Sequence, residues 1–119
     1  MILYCSTDLI FATRIRSTAD AIGVPARPAR TVERLRELML EETVNAIIVD
    51  LDAGEVALDL IAAAANLSPP LPSLAFGPHV NLEALQAAHR AGASQVMARG
   101  RFAEQLPDLL RVLDAQSPR

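Results

Sequence analysis

The sequence predicts an α/β domain in which five parallel strands alternate with five helices that cover both faces of one doubly wound sheet. Three observations predict it. Short apolar segments recur at Ile2–Cys5, Val44–Asp50 and Ser73–Phe76, and the stretches between them carry apolar residues at three- and four-residue spacing. The connections are short, and strand–helix alternation with short connections brings the strands parallel. The run Ala46-Ile47-Ile48-Val49 is apolar at every position rather than every other one, which marks a strand buried on both faces. Asp50 closes that run. In open sheets of this kind functional groups gather at the carboxyl ends of strands, near the point where the strand order reverses. Asp50 is therefore expected in a crevice.

Each element has a local reason. Ile2–Cys5 is the first strand, and the polar residues Ser6, Thr7 and Asp8 can cap a helix after it. Leu9, Ala12, Ile15, Ala19 and Ile22 form the apolar stripe of that first helix, and Gly23 stops it. Val24–Arg27 is a short strand flanked by Pro25 and Pro28, which cannot donate ladder bonds, so it belongs at a sheet edge. Thr31 can cap a second helix with Val32, Leu35, Leu38 and Met39 inward. Val44–Asp50 is the third strand. A third helix is expected from about Gly54 to Asn66, then a fourth strand at Ser73–Phe76. Asn81 caps a fourth helix with Leu82, Leu85 and Ala88 inward, and the Ala91-Gly92-Ala93 turn ends it. Gln95–Met97 is the fifth strand. The last helix is expected from about Phe102 to Ala115, which puts Pro107 in its first turns, where it costs little. The tail over residues 116–119 is expected to fray.

Composition narrows the function. A chain of 119 residues reads as one domain, residues 1–119, and 51% hydrophobic residues suffice for a core. That core is aliphatic, since Tyr4, Phe11, Phe76 and Phe102 are the only aromatic residues. A net charge of −3 gives no case for general nucleic-acid affinity. All eleven basic residues are arginine. Arg27, Arg30, Arg34 and Arg36 interleave with Glu33, Glu37, Glu41 and Glu42, the pattern of a self-paired solvated surface. Cys5 is the only cysteine, which excludes an intrachain disulfide and fits a reducing compartment. The start lacks a signal-peptide pattern. The stretch from Leu60 to Leu82 has no Asp, Glu or Arg, but its prolines argue against a spanning helix. A cytoplasmic protein with no membrane contact is expected.

The punctuation of the chain resembles the receiver domain of bacterial response regulators, and the resemblance covers nearly the whole length. It rests on Ile2-Leu3-Tyr4-Cys5-Ser6-Thr7-Asp8 at the first strand and Ile47-Ile48-Val49-Asp50 at the third. The most specific stretch is Ala91-Gly92-Ala93-Ser94-Gln95-Val96-Met97 at the fifth. The resemblance implies a flavodoxin-like fold with strand order 2-1-3-4-5. It also implies that Asp50 occupies the position of the aspartate that accepts a phosphoryl group. That reaction uses a divalent metal, held by the accepting aspartate and an acidic pair after the first strand. Here the pair falls on Cys5-Ser6 or Ser6-Thr7, which supply no carboxylate. Asp8, slightly further along, is the remaining candidate. The hydroxyl residue after the fourth strand falls at Gly77, the lysine after the fifth at Arg99, and the next proline at Gly100. Arginine is bulkier than lysine and pairs as a planar fork. Of the catalytic set Asp50 alone stands, so the resemblance is to a degenerate receiver, a pseudo-receiver.

This pattern implies a non-catalytic signalling or scaffolding module that acts through protein contacts, is not phosphorylated in the usual way, and has no cofactor. Asp8, Asp50, Gly77 and Arg99 are expected to converge at one sheet edge, with Asp50 paired to Arg99. Asp8 and Asp50 are weak candidates for Mg²⁺. Asp52 and His79 extend that set only as an adventitious metal site. A homodimer through the fourth helix, fifth strand and fifth helix is a further expectation, because receivers commonly associate there. Two alternatives stand beside this reading. One is a phosphoacceptor that uses Asp50 with a weak Mg²⁺ site. The other is a module that binds a small anion or nucleotide in the crevice through Arg99 and Arg101, although no glycine-rich phosphate loop accompanies them. No nucleophile–base pair suggests other enzyme chemistry.

Overall fold

The computed structural model describes residues 1–115, so the expected frayed tail lies outside the described residues. Ten elements alternate: β1 (Ile2–Cys5), α1 (Leu9–Ile22), β2 (Ala26–Pro28), α2 (Val32–Glu41), β3 (Ala46–Asp50), α3 (Glu55–Ala65), β4 (Ser73–Gly77), α4 (Leu82–Ala91), β5 (Gln95–Ala98) and α5 (Arg99–Asp114). A 3-10 turn at Leu51–Ala53 joins β3 to α3. All strand pairs are parallel, in the order β2-β1-β3-β4-β5. Both the fold class and the strand order match the expectation.

The period-2 alternation of the strands sorts the core into two layers. Leu3 and Cys5 of β1, Ile47 and Val49 of β3 and Ala75 of β4 face α2, α3 and α4. Ile2, Tyr4, Ala46, Ile48, Leu74 and Phe76 face α1 and α5. Both faces of the central strands are therefore covered, which is why their sequences are apolar throughout. Each fully buried Leu, Ile or Phe contributes about 1.5–3 kcal/mol relative to an exposed one. The caps fall at the polar residues that the sequence offers for them. The Asp8 carboxylate accepts from the Ile10 N–H, the Thr31 hydroxyl from Arg34 and the Asn81 side-chain oxygen from Ala84.

Several expectations need correction. β3 begins at Ala46, not Val44, and β2 runs over Ala26–Pro28 rather than Val24–Arg27. Leu9 and Leu82 do not point inward; they are 75% and 64% exposed. Each sits in the first turn of its helix, where the apolar stripe has run past the edge of the sheet. α5 starts at Arg99, not Phe102, because β5 passes into it with no loop. Pro107 consequently lies in the helix interior, where it removes a backbone bond and carries a real cost. Among the described residues no helix is long and apolar enough to cross a membrane. The apolar stretch after Leu60 is divided among the end of α3, a proline-rich loop and β4.

The Ala91-Gly92-Ala93 turn has a steric cause. Gly92 has φ +107°, and a Cβ there would come within 2.8 Å of the Ala65 methyl at the end of α3. Gly23 also has positive φ, +75°, but a Cβ there would meet open space. Gly92→Ala is expected to destabilise the domain by about 2–4 kcal/mol, combining left-handed strain with overpacking. Gly23→Ala should cost only the backbone part, about 1–2 kcal/mol. Denaturant midpoints check the ordering, and equal losses at the two sites would contradict the close α3–α4 approach.

Candidate functional site

The strand order reverses between β1 and β3, so the carboxyl ends of these two neighbours frame the crevice. Asp50 ends β3 with none of its surface in water. A buried carboxylate must be compensated, and three groups do this. The Ser6 hydroxyl, just past the end of β1, donates to Asp50 Oδ2 at 2.8 Å. The Asp52 backbone N–H donates to Asp50 Oδ1 at 3.0 Å, so Asp50 also caps the adjoining 3-10 turn. The Arg99 guanidinium lies 3.8 Å from Asp50 Oδ1, an ion pair beyond hydrogen-bond range.

Arg99 makes its direct hydrogen bond to the Asp52 carboxylate instead. The expected Arg99–Asp50 pairing is thus present as the longer of two contacts, with Asp52 the nearer partner. Local structure explains the attraction. Arg99 is the first residue of α5, whose first turn has no acidic residue and no side-chain cap. A cation at a helix N-terminus opposes the helix dipole, and the two carboxylates offset it. The guanidinium carbon also sits 5.4 Å from the Phe11 ring centroid, within cation–π range. Phe11 is one of a trio: Phe76 and Phe102 stack at 4.0 Å and 3°, and Phe11 tilts against Phe76 at 5.4 Å. The Arg99 Nε is out of solvent and has no hydrogen-bond partner among the described residues.

The other expected site residues divide. Gly77 ends β4 at the same edge, in register with Ala98 beside Arg99. Its missing side chain is matched by a neighbour: a Cβ there would lie 3.3 Å from Leu51 Cβ. Leu51, from the 3-10 turn, fills the space that a side chain at this position would need. Asp8 joins the constellation only through its backbone. Its N–H donates to Ser6 Oγ at 3.2 Å, while its carboxylate caps α1 and has no hydrogen bond to Asp50 among the described residues. His79 and Arg101 are exposed. No cluster of three or more His, Cys, Asp or Glu side chains suited to a metal ion occurs among the described residues.

No protein-family model matches the chain, and no curated protein does. Solved structures do match. The receiver domain of NtrX from Brucella abortus superposes with a TM-score of 0.79 at 18% identity, over 98% of this chain and 100% of that one. A response regulator from Thermotoga maritima gives 0.75 at 15% identity, over 97% of each chain. This chain has the receiver fold. Within a longer NtrX chain the matching part is 25% of the length.

On this receiver fold, sequence reasoning misses the contribution of four residues. Ser6 reads in the sequence as a candidate helix cap and as a position without the expected carboxylate, yet it bonds Asp50. Asp52 reads only as a stray metal ligand. Phe11 positions Arg99, and Leu51 closes over Gly77. The usable signal is Leu51 itself, an apolar residue directly after the strand end, where a crevice loop is ordinarily polar.

The Arg99 contacts set one expectation. Arg99→Ala should lower stability by about 1–3 kcal/mol, because it leaves a buried carboxylate with two hydrogen bonds and no countercharge. Adding Asp50→Asn should recover much of that loss. Asp52→Asn alone should cost less than about 1 kcal/mol, since that carboxylate is half-exposed. Unfolding midpoints report all three, and an unchanged Arg99→Ala midpoint would show that Asp50 needs no cation.

Cys5 adds a pH dependence. Burial pushes its thiol up, the nearby Asp50 charge adds to this, and Arg30 opposes it. The unfolded thiol ionises first, at about pH 8.5. Below that pH both states hold the proton and stability is unaffected by it. Above it the unfolded state binds fewer protons than the native state, so stability falls as pH rises. Cys5→Ala is expected to flatten that alkaline fall in a pH series of urea midpoints, and an unchanged slope would remove Cys5 as its source.

Proposed function

We propose that the protein is a non-catalytic pseudo-receiver, a signalling module that works through contacts with protein partners and is not phosphorylated in the usual way. One observation carries this reading. The place beside Asp50 where chemistry would need a free cation site holds the protein's own guanidinium, 3.8 Å from Asp50 Oδ1. The donor set does not suit a divalent ion. Mg²⁺ binds through one or two carboxylates plus water. Asp8 caps a helix, Asp52 is engaged by Arg99, and Asp50 is already bonded to Ser6 and a backbone amide. With Leu51 packed over Gly77, no hydroxyl is available at the end of β4. No metal or cofactor is part of the proposed function, and neither is enzymatic activity. Surface for partners is available at the start of α4, where Val80 and Leu82 are exposed, and on α5 at Val112. A second copy of the chain docking on the α4–β5–α5 face is included in the proposal.

A second reading keeps Asp50 as a phosphoacceptor, favoured by its position at the carboxyl end of β3 in a receiver fold. Incubation with acetyl phosphate and Mg²⁺ separates the two. Intact mass is expected to stay unchanged, and sedimentation velocity should give one oligomeric state with and without the donor. A phosphate-sized adduct that disappears in Asp50→Asn would overturn the first reading and establish the second.

A further inference from the structure

A groove of about 220 Å³ lies beside the Asp50 crevice, between α1 and the carboxyl ends of β1 and β2, and Ser6 borders both. Its origin is local. β2 stops after three residues at Pro28, so the chain turns away at the sheet edge and leaves the flank of α1 uncovered. Leu9, Thr13 and Arg16 are spaced to lie along one side of that helix, and they form one wall. Arg30, two residues beyond β2, faces them.

The groove is cationic. Arg27, Arg34, Arg99 and Arg111 all have carboxylate partners. Arg16 and Arg30, like Arg14, Arg36, Arg90 and Arg101, have none among the described residues, but these two line the groove together and no acidic side chain lines it. A second observation is independent of these charges. Tyr4 is only 5% exposed and its ring lines the groove. Its hydroxyl opens to the groove rather than being buried, and it has no protein partner among the described residues, so it is free to bond a ligand. The Ser6 hydroxyl also lines the groove, but its proton is committed to Asp50. The donors left for a ligand are therefore two guanidinium forks, the Thr13 hydroxyl and the Tyr4 phenol. Leu9, Ala12 and Pro28 supply apolar surface, which gives the outward-facing Leu9 a role that the core does not.

We infer that this groove binds a small organic anion, one carboxylate or phosphate group carried on a compact apolar body. Arginine forks suit either group bidentately. The volume is below the roughly 300–1,000 Å³ of ordinary ligand pockets, so the body is about one ring in size and a dinucleotide is excluded. The inference does not rest on the pseudo-receiver reading: its donors are Arg16, Arg30, Thr13 and Tyr4, and the groove meets the Asp50 site only through Ser6.

Amide NMR titration of the full chain with phenyl phosphate, benzoate, inorganic phosphate and benzyl alcohol tests it. Saturable shifts are expected at Tyr4, Thr13, Arg16 and Arg30 with phenyl phosphate or benzoate, and the tighter of the two names the headgroup. Inorganic phosphate should bind at least about tenfold more weakly, and benzyl alcohol should give no saturation. The exposed double variant Arg16→Gln/Arg30→Gln should keep the wild-type fold and lose at least about tenfold in affinity, as expected for lost charge-assisted bonds. Tyr4→Phe should weaken binding by a smaller factor. Lack of saturation by both ring anions to about 10 mM, a range of negligible affinity, would overturn the inference. So would equal binding to the double variant, or shifts confined to the surroundings of Arg99.

Discussion

Asp50 holds its carboxylate wholly out of water at the point where the strand order reverses, and much of the crevice is arranged around that burden. A carboxylate so placed is costly unless each oxygen is engaged. One oxygen takes the Ser6 hydroxyl and the other an amide of the turn that Asp50 itself caps. The first bond ties β1 to β3 across the reversal, and the second fixes how the chain leaves β3. Arg99 supplies the countercharge from the first turn of α5. To do so its guanidinium lies over Phe11, and Phe11 packs with Phe76 and Phe102. The polar crevice and the aromatic patch between α1, β4 and α5 are thus one construction.

Steric constraints of the same edge reinforce it. Leu51 is the first residue of the turn capped by Asp50 and lies where a side chain on Gly77 would go. A side chain at Gly77 would press on Leu51 and require it to give by a few tenths of an ångström, within the turn whose amide holds Asp50. Residues in such direct contact do not contribute independently. Ser6, Leu51, Gly77 and Arg99 are therefore best understood as a set, each fitting the space and charge left by the others.

The fold is legible in the sequence because its signals are local. The β3 run announces a strand covered on both faces, Thr31 and Asn81 mark helix starts, and Gly23 and Gly92 mark helix ends. The site is legible only in part, because its bonds depend on which strands are neighbours. Ser6 meets Asp50 because β1 lies beside β3, and nothing within a few residues of Ser6 encodes that. The exposure of Leu9 and Leu82 is hidden for a related reason: apolar spacing gives the direction of a stripe but not where the sheet beneath it ends. Pro107 is misplaced by sequence reasoning because Arg99-Gly100-Arg101 reads as a polar, glycine-containing loop yet forms the first turn of α5. The groove beside α1 is invisible because it comes from what β2 lacks, a longer edge strand.

The arginines show where the electrostatic energy is concentrated. The pairs Arg27–Glu42, Arg34–Glu37 and Arg111–Asp108 lie at the surface, where such pairs contribute little and salt screens them. Arg99 differs because one of its partners is fully buried and its own side chain is 28% exposed. Its planar group can face two carboxylates along its edge while lying over an aromatic ring, a combination that a lysine ammonium cannot reproduce. The geometry also leaves its Nε–H without a partner, at a cost of about 1–3 kcal/mol for an unsatisfied buried donor. An arrangement that tolerates this cost is held by the other contacts of the same side chain. The position thus follows from the need of Asp50 for a cation more than from any optimum for Arg99 itself. Arg99→Lys, though conservative in charge, would separate the countercharge from the aromatic contact that now positions it.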